Sequence, residues 1–138
     1  MSLMKKYPLK NFQLSTEILD QISILKRKTG ITKNNVLCRW AFYCSLTIEG
    51  NPLANRKLTF PEAGKGEISW DVFGGEQAPL LAQLLVDRCK LENDQETLFT
   101  TTEFKDSLLA HINRGLTHLI GTKKVNSISD LARVAIDI

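Results

Sequence analysis

The chain has 138 residues, 43% of them hydrophobic and 24% charged, with a formal net charge of +3. Such proportions suit a single globular domain with its own core and exclude a disordered chain. Apolar runs such as Leu80 to Val86, broken by Gln83, fall far short of the ~20 residues that cross a bilayer, so no membrane association is expected. The charge is uneven. The first forty residues hold Lys5, Lys6, Lys10, Lys26, Arg27, Lys28, Lys33 and Arg39 against only Glu17 and Asp20, while the remainder is net acidic. A basic, ordered end points to a polyanion partner.

In chain order, Lys5, Lys6 and Pro8 interrupt the start before the apolar stretch of a signal peptide can form, which predicts a cytoplasmic protein. The sequence reads as one domain over 1–138, with 1–8 expected to be flexible and Met1-Ser2-Leu3 having the form of an expression scar ahead of Met4. Leu9 to Ser15 alternates as a short strand, with Lys10, Phe12 and Leu14 on one side and Leu9, Asn11 and Gln13 on the other. Ser15 or Thr16 then caps a helix running to about Thr29, with Glu17 in its first turn and Ile18, Ile22 and Leu25 as its apolar stripe. Lys26, Arg27 and Lys28 suit the negative end of the helix dipole, and Gly30 suits a left-handed C-cap.

Thr32 or Asn34 opens a second helix to about Glu49. It is apolar nearly all round (Val36, Leu37, Cys38, Trp40, Ala41, Phe42, Tyr43, Cys44, Leu46), which predicts either a central core helix or an oligomer interface. Leu58 and Phe60, then Ile68, Trp70 and Val72, alternate as two strands of a β-hairpin whose tip carries Gly64-Lys65-Gly66. The basic tip is in reach of a phosphate, but turn geometry is the stronger reading of its glycines. After Gly74-Gly75 a third helix is expected, with Pro79 in its first turn and Leu80, Leu81, Leu84, Leu85 and Leu91 on its buried side.

Asp94 to Thr100 reads as a connector. A fourth helix from Thr101 or Thr102 carries Phe104, Leu108, Leu109, Ile112, Leu116 and Leu119 and ends near Gly121. Ser127 and Asp130 resemble a capping pair before a last helix with Leu131, Val134, Ala135 and Ile138 inward. The fold class is therefore mainly α with a small β component.

Chemistry-bearing motifs are sparse. Cys38, Cys44 and Cys89 are odd in number and lack Cys-x-x-Cys spacing, so they read as buried packing residues rather than as a disulfide frame or zinc site. His111 and His118 lie two helical turns apart, ~10.5 Å and too far for one metal ion, at the margin of the apolar stripe. Gly115, inside that stripe, predicts a close helix contact. None of the common nucleophile or phosphate-loop motifs is present. No catalytic residue, metal or cofactor is expected. The basic cluster is the candidate site: Lys26, Arg27 and Lys28 end one helix and Lys33 starts the next, so the Gly30 turn brings four cations to one phosphate backbone, with helix N-terminal N–H groups beside them.

Leu9 to Leu46 resembles a ribbon-helix-helix unit, whose outward strand residues would here be Asn11 and Gln13. Taken whole, the chain resembles the DndE family, the small component of the bacterial DNA phosphorothioation (DNA sulfur modification) system. The residues that carry the likeness are Phe12-Gln13-Leu14-Ser15, Leu25-Lys26-Arg27-Lys28-Thr29-Gly30, Asn35 to Ser45 with Cys38-Arg39-Trp40-Ala41, Glu67-Ile68-Ser69-Trp70, Gly74-Gly75-Glu76 and His111-Ile112-Asn113-Arg114-Gly115. The resemblance implies a compact helical subunit that forms a homo-tetramer and binds duplex DNA, nicked DNA included, beside the other proteins of that system. It places the DNA contacts on Lys26, Lys28 and Lys33, with Arg27 by adjacency and Lys10 on the strand, and implies no cofactor and no catalytic role. The alternatives are a ribbon-helix-helix repressor and a small sulfur-transfer enzyme using one of the cysteines.

Overall fold

Short capped segments set the element boundaries. In the computed structural model, which describes residues 9–52, 58–93 and 101–137, β1 (Asn11–Gln13) leads into α1 (Thr16–Thr29) and α2 (Asn34–Leu46). β2 (Glu67–Ser69), α3 (Trp70–Gly74), a 3-10 turn (Gly75–Gln77) and α4 (Ala78–Asn93) follow. α5 (Thr101–Thr117), a π turn (His118–Thr122) and α6 (Ile128–Asp137) complete the mainly α fold.

Ser15 caps α1 by accepting the Ile18 N–H at 3.2 Å. Ser127 accepts the Asp130 N–H while the Asp130 carboxylate accepts the Asn126 N–H, the reciprocal pair expected before α6. Phe12, Leu14, Ile18, Ile22 and Leu25 enter a core completed by Leu37, Phe42, Phe73, Leu81, Leu85, Leu108 and Ile112. α2 lies at its centre against α5 with Leu37, Cys38, Ala41, Phe42 and Cys44 buried, as a core helix would have them, while Val36, Trp40 and Tyr43 stay partly exposed. Gly115 is the close-contact residue between the two.

Several expectations are corrected. The sheet is antiparallel, but β2 pairs with β1 (Asn11↔Ser69, Phe12↔Ile68), not with 58–60. That stretch is drawn instead to the start of α1. Thr16 N–H donates to Thr59 O at 2.8 Å, and the Glu17 carboxylate accepts from Thr59 Oγ1 at 2.8 Å and from its N–H at 3.1 Å. Trp70 and Val72 leave the strand because Ser69 caps a short helix, accepting the Val72 N–H. Leu9 is buried and Lys10 exposed, since both precede the strand and escape its alternation.

Leu80, Leu91 and Ala135 are exposed; Leu81, Ala82, Leu85 and Cys89 form the inward face of α4, and Leu131 and Val134 that of α6. The N-cap of α2 is Lys33. Gly121 does not stop α5, which instead widens into the π turn closed by Lys123 N–H on His118 O. The expectations for 1–8, for the 94–100 connector and for Ile138 fall outside the described residues. No helix is long and apolar enough to cross a membrane, among the described residues.

Candidate nucleic-acid interface

The basic corner is built by the end of α1. Gly30 takes φ 79°, the left-handed region that a residue with a Cβ enters only at a cost, and its N–H closes on Lys26 O at 2.9 Å. Thr29 braces the turn from the inside: its hydroxyl donates to Leu25 O at 2.7 Å and accepts the Ile31 N–H at 3.2 Å. α2 then starts at Lys33 with no side-chain cap and no acid in its first turn. The orphan N–H groups and the positive end of the α2 dipole therefore sit beside Lys33.

Arg27, Lys28 and Lys33 are exposed and Lys26 partly so. Lys10 is exposed on a separate element, at the entry to β1, where its carbonyl accepts the Trp70 N–H. None of these five side chains makes an ion pair with a described residue. Their charge is thus available to a partner. Lys65 at the loop tip differs, since Glu62 pairs with it at 3.3 Å.

Gln13 does not face outward as a free reader. Its amide nitrogen donates to Glu62 O at 2.9 Å, Lys65 O at 3.0 Å and Pro61 O at 3.4 Å, so it staples the 61–66 loop.

A second polar constellation, missed by sequence reasoning, lies at the other end of α2. His111 is fully buried, not marginal: Nδ1 stands 2.8 Å from Ser45 Oγ and Nε2 stands 3.1 Å from Glu92. Arg114 Nε donates to Ser45 Oγ at 2.8 Å, so the one hydroxyl bonds both the guanidinium and the His111 ring.

Arg114 also donates to the carbonyls of Ser45, Ile48 and Gly50, and Arg88 to those of Leu46 and Ile48. Two guanidinium groups thereby satisfy the C-terminal carbonyls of a helix with no basic residue in its own last turn. Burial works to raise the Glu92 carboxyl, but the His111 bond and the Arg88 guanidinium outweigh it and hold the group below its usual range. The serine, histidine and carboxylate are linked as in a catalytic relay, yet Ser45 and His111 have no exposed surface. The assembly is a clamp. His118, by contrast, is partly exposed, with its imidazole pushed down by burial and by Lys123 and Arg114.

The cysteines are all buried. Burial pushes the Cys38 thiol up to about 12 and also raises those of Cys44 and Cys89.

Comparison with known proteins gives the likenesses that follow. The family described as DNA sulphur modification protein DndE matches residues 11–127. The chain is also similar to the crystal structure of DndE from Escherichia coli B7A, described as involved in DNA phosphorothioation modification. That likeness has 27% identity and a TM-score of 0.59, and covers 80% of this chain and 97% of that one. No curated protein matches the chain.

Proposed function

Because the chain belongs to the DndE family of DNA sulphur modification proteins, we propose that it is a non-enzymatic, DNA-binding subunit of a phosphorothioation complex. It grips the phosphate backbone of duplex DNA, nicked duplex included, as a homo-tetramer and alongside the other proteins of that system. The observation that carries this reading is the corner at Gly30: Lys26, Arg27, Lys28 and Lys33 stand without an acidic partner among the described residues, next to an uncapped helix N-terminus. Backbone cations position a protein on DNA without reading its sequence. Lys10 adds charge from the entry to β1.

Two features favour this over the alternatives. A ribbon-helix-helix repressor needs its first strand for a partner copy and its outward side chains for bases. Here β1 pairs with β2, and the Gln13 amide is committed to the loop. A sulfur carrier needs an accessible thiolate, whereas burial disfavours ionisation at Cys38, Cys44 and Cys89.

The test is a salt titration of binding to intact and nicked duplexes, run beside a mass measurement of the assembly. Each phosphate that a cation no longer neutralises reduces the slope of log affinity against log salt by about 0.9. Lys26→Ala, Arg27→Ala and Lys28→Ala combined should therefore flatten it by about 2.7 per subunit engaged. Unchanged affinity and slope in that variant would remove the site.

A further inference from the structure

One side of α2 continues from the basic corner into an apolar groove. Val36, Trp40 and Tyr43 follow Lys33 at helical spacing, so the four residues share one side of the helix. With Arg39, Cys44 and Ala135 of α6 they line a groove of about 460 Å³, a volume suited to one flat ring and its sugar. Val36, Arg39, Trp40 and Tyr43 are partly exposed.

The groove also presents unused donors. Trp40 makes no hydrogen bond or ring contact with a described residue, so its indole N–H has no acceptor among them. The Tyr43 hydroxyl has no hydrogen-bond partner among the described residues, although its ring rests on Phe42. Arg39 spends one N–H on Phe73 O at 3.0 Å, and the rest of its fork has no partner among the described residues. No acid lines the groove.

An aromatic floor, three kinds of free donor and a cationic rim are complementary to a flat ring rich in acceptors and joined to an anion. We infer that the groove receives an unpaired nucleobase from the strand whose phosphates the Lys26–Lys33 corner holds. The inference rests on the DNA-binding reading above and names the part of the ligand that the corner itself does not touch. Reach permits it: Lys33 to Trp40 is seven residues, about 10.5 Å along the helix, or roughly three nucleotides of one strand. A base paired and stacked in intact duplex cannot enter, so a single strand or a gap fits better.

The chain's own fluorescence reports on this. It has two tryptophans, and Trp70 is buried with its N–H on Ala78 O, so a contact quencher reaches Trp40. The whole chain is titrated at low salt with intact duplex, duplex carrying a one-nucleotide gap, and single-stranded DNA, following anisotropy of the DNA and emission of the protein. Gapped and single-stranded DNA should quench emission and intact duplex should not.

Trp40→Leu should abolish the quenching and lose about tenfold more affinity for gapped than for intact duplex. Tyr43→Leu should show the same preferential loss while keeping Trp40 as reporter. Equal quenching by all three DNAs, none at saturation, or equal losses in the variants would overturn the groove as a base site while leaving the backbone grip standing. Binding to none of the three would overturn both. Emission that changes with protein concentration alone would assign the groove to a second copy and overturn the base site.

Discussion

Gly115 of α5 lies against the backbone of Ala41 of α2 so closely that a Cβ at position 115 would stand 1.8 Å from the Ala41 carbonyl oxygen. The obstacle is backbone, which cannot rotate aside. In an exposed helix Gly→Ala stabilises by about 1 kcal/mol, so the sign at this position is diagnostic. Gly115→Ala should destabilise by about 3 kcal/mol or more, the upper range for overfilling a core, in urea unfolding.

Arg114 serves α2 through its planar fork. Arg114→Lys keeps the charge but cannot reach Ser45 Oγ and the carbonyls of Ser45, Ile48 and Gly50 together. The lysine variant should therefore melt much closer to Arg114→Ala than to the wild type. Recovery of wild-type melting by lysine would reduce the residue's role to its charge.

Glu92 gives the clamp a pH signature. Its side chain is 6% exposed and its carboxyl is held below the usual value. A carboxyl depressed in the fold adds stability above its unfolded pKa, and that stability is lost as pH falls through the folded value. Glu17, held down first by the Thr59 hydroxyl, acts in the same direction. Glu92→Gln should cost about 3 kcal/mol at neutral pH, as for a broken buried pair. The gap to wild type should narrow below the reference value of 4.5. Melting curves from pH 7 to 3 check this, and a constant gap would detach Glu92 from the acid response.

The thiols should be silent in the native protein. At pH 8 a disulfide reagent should titrate none of Cys38, Cys44 and Cys89 within minutes and all three once the chain is unfolded, because burial opposes their ionisation. Rapid reaction of any one would reopen the carrier reading for that residue.

How much of this was legible depended on range. α1 announced itself through Ser15 and Gly30, and α6 through Ser127 and Asp130, because caps act within four residues. The cations of the corner were legible for the same reason: they sit on a local turn. The partner of β2 was not legible, since Ile68 alternates equally well with Phe60 or Phe12 as neighbour and only the tertiary fold chooses. Trp70 and Val72 obeyed the strand pattern yet yielded to a single serine cap. His111 looked marginal because Ser45 and Glu92, which enclose it, come from other elements. The one available hint of the clamp was negative: α2 has no basic residue in its last turn, so its carbonyls had to borrow donors from elsewhere.

That borrowing bears on how the protein is assembled and divided. Ser45 meets His111 across 66 positions and Gln21 meets Thr117 across 96, so distant parts of the described chain are tied together through side chains. Collapse must close these long loops before α2 is secured. All five proposed DNA-contact cations lie before position 34, yet the groups that secure the far end of α2, whose N-cap is Lys33, arrive on α4 and α5. A fragment cut after α2 would keep every one of those positive charges and lose the frame that holds them in register.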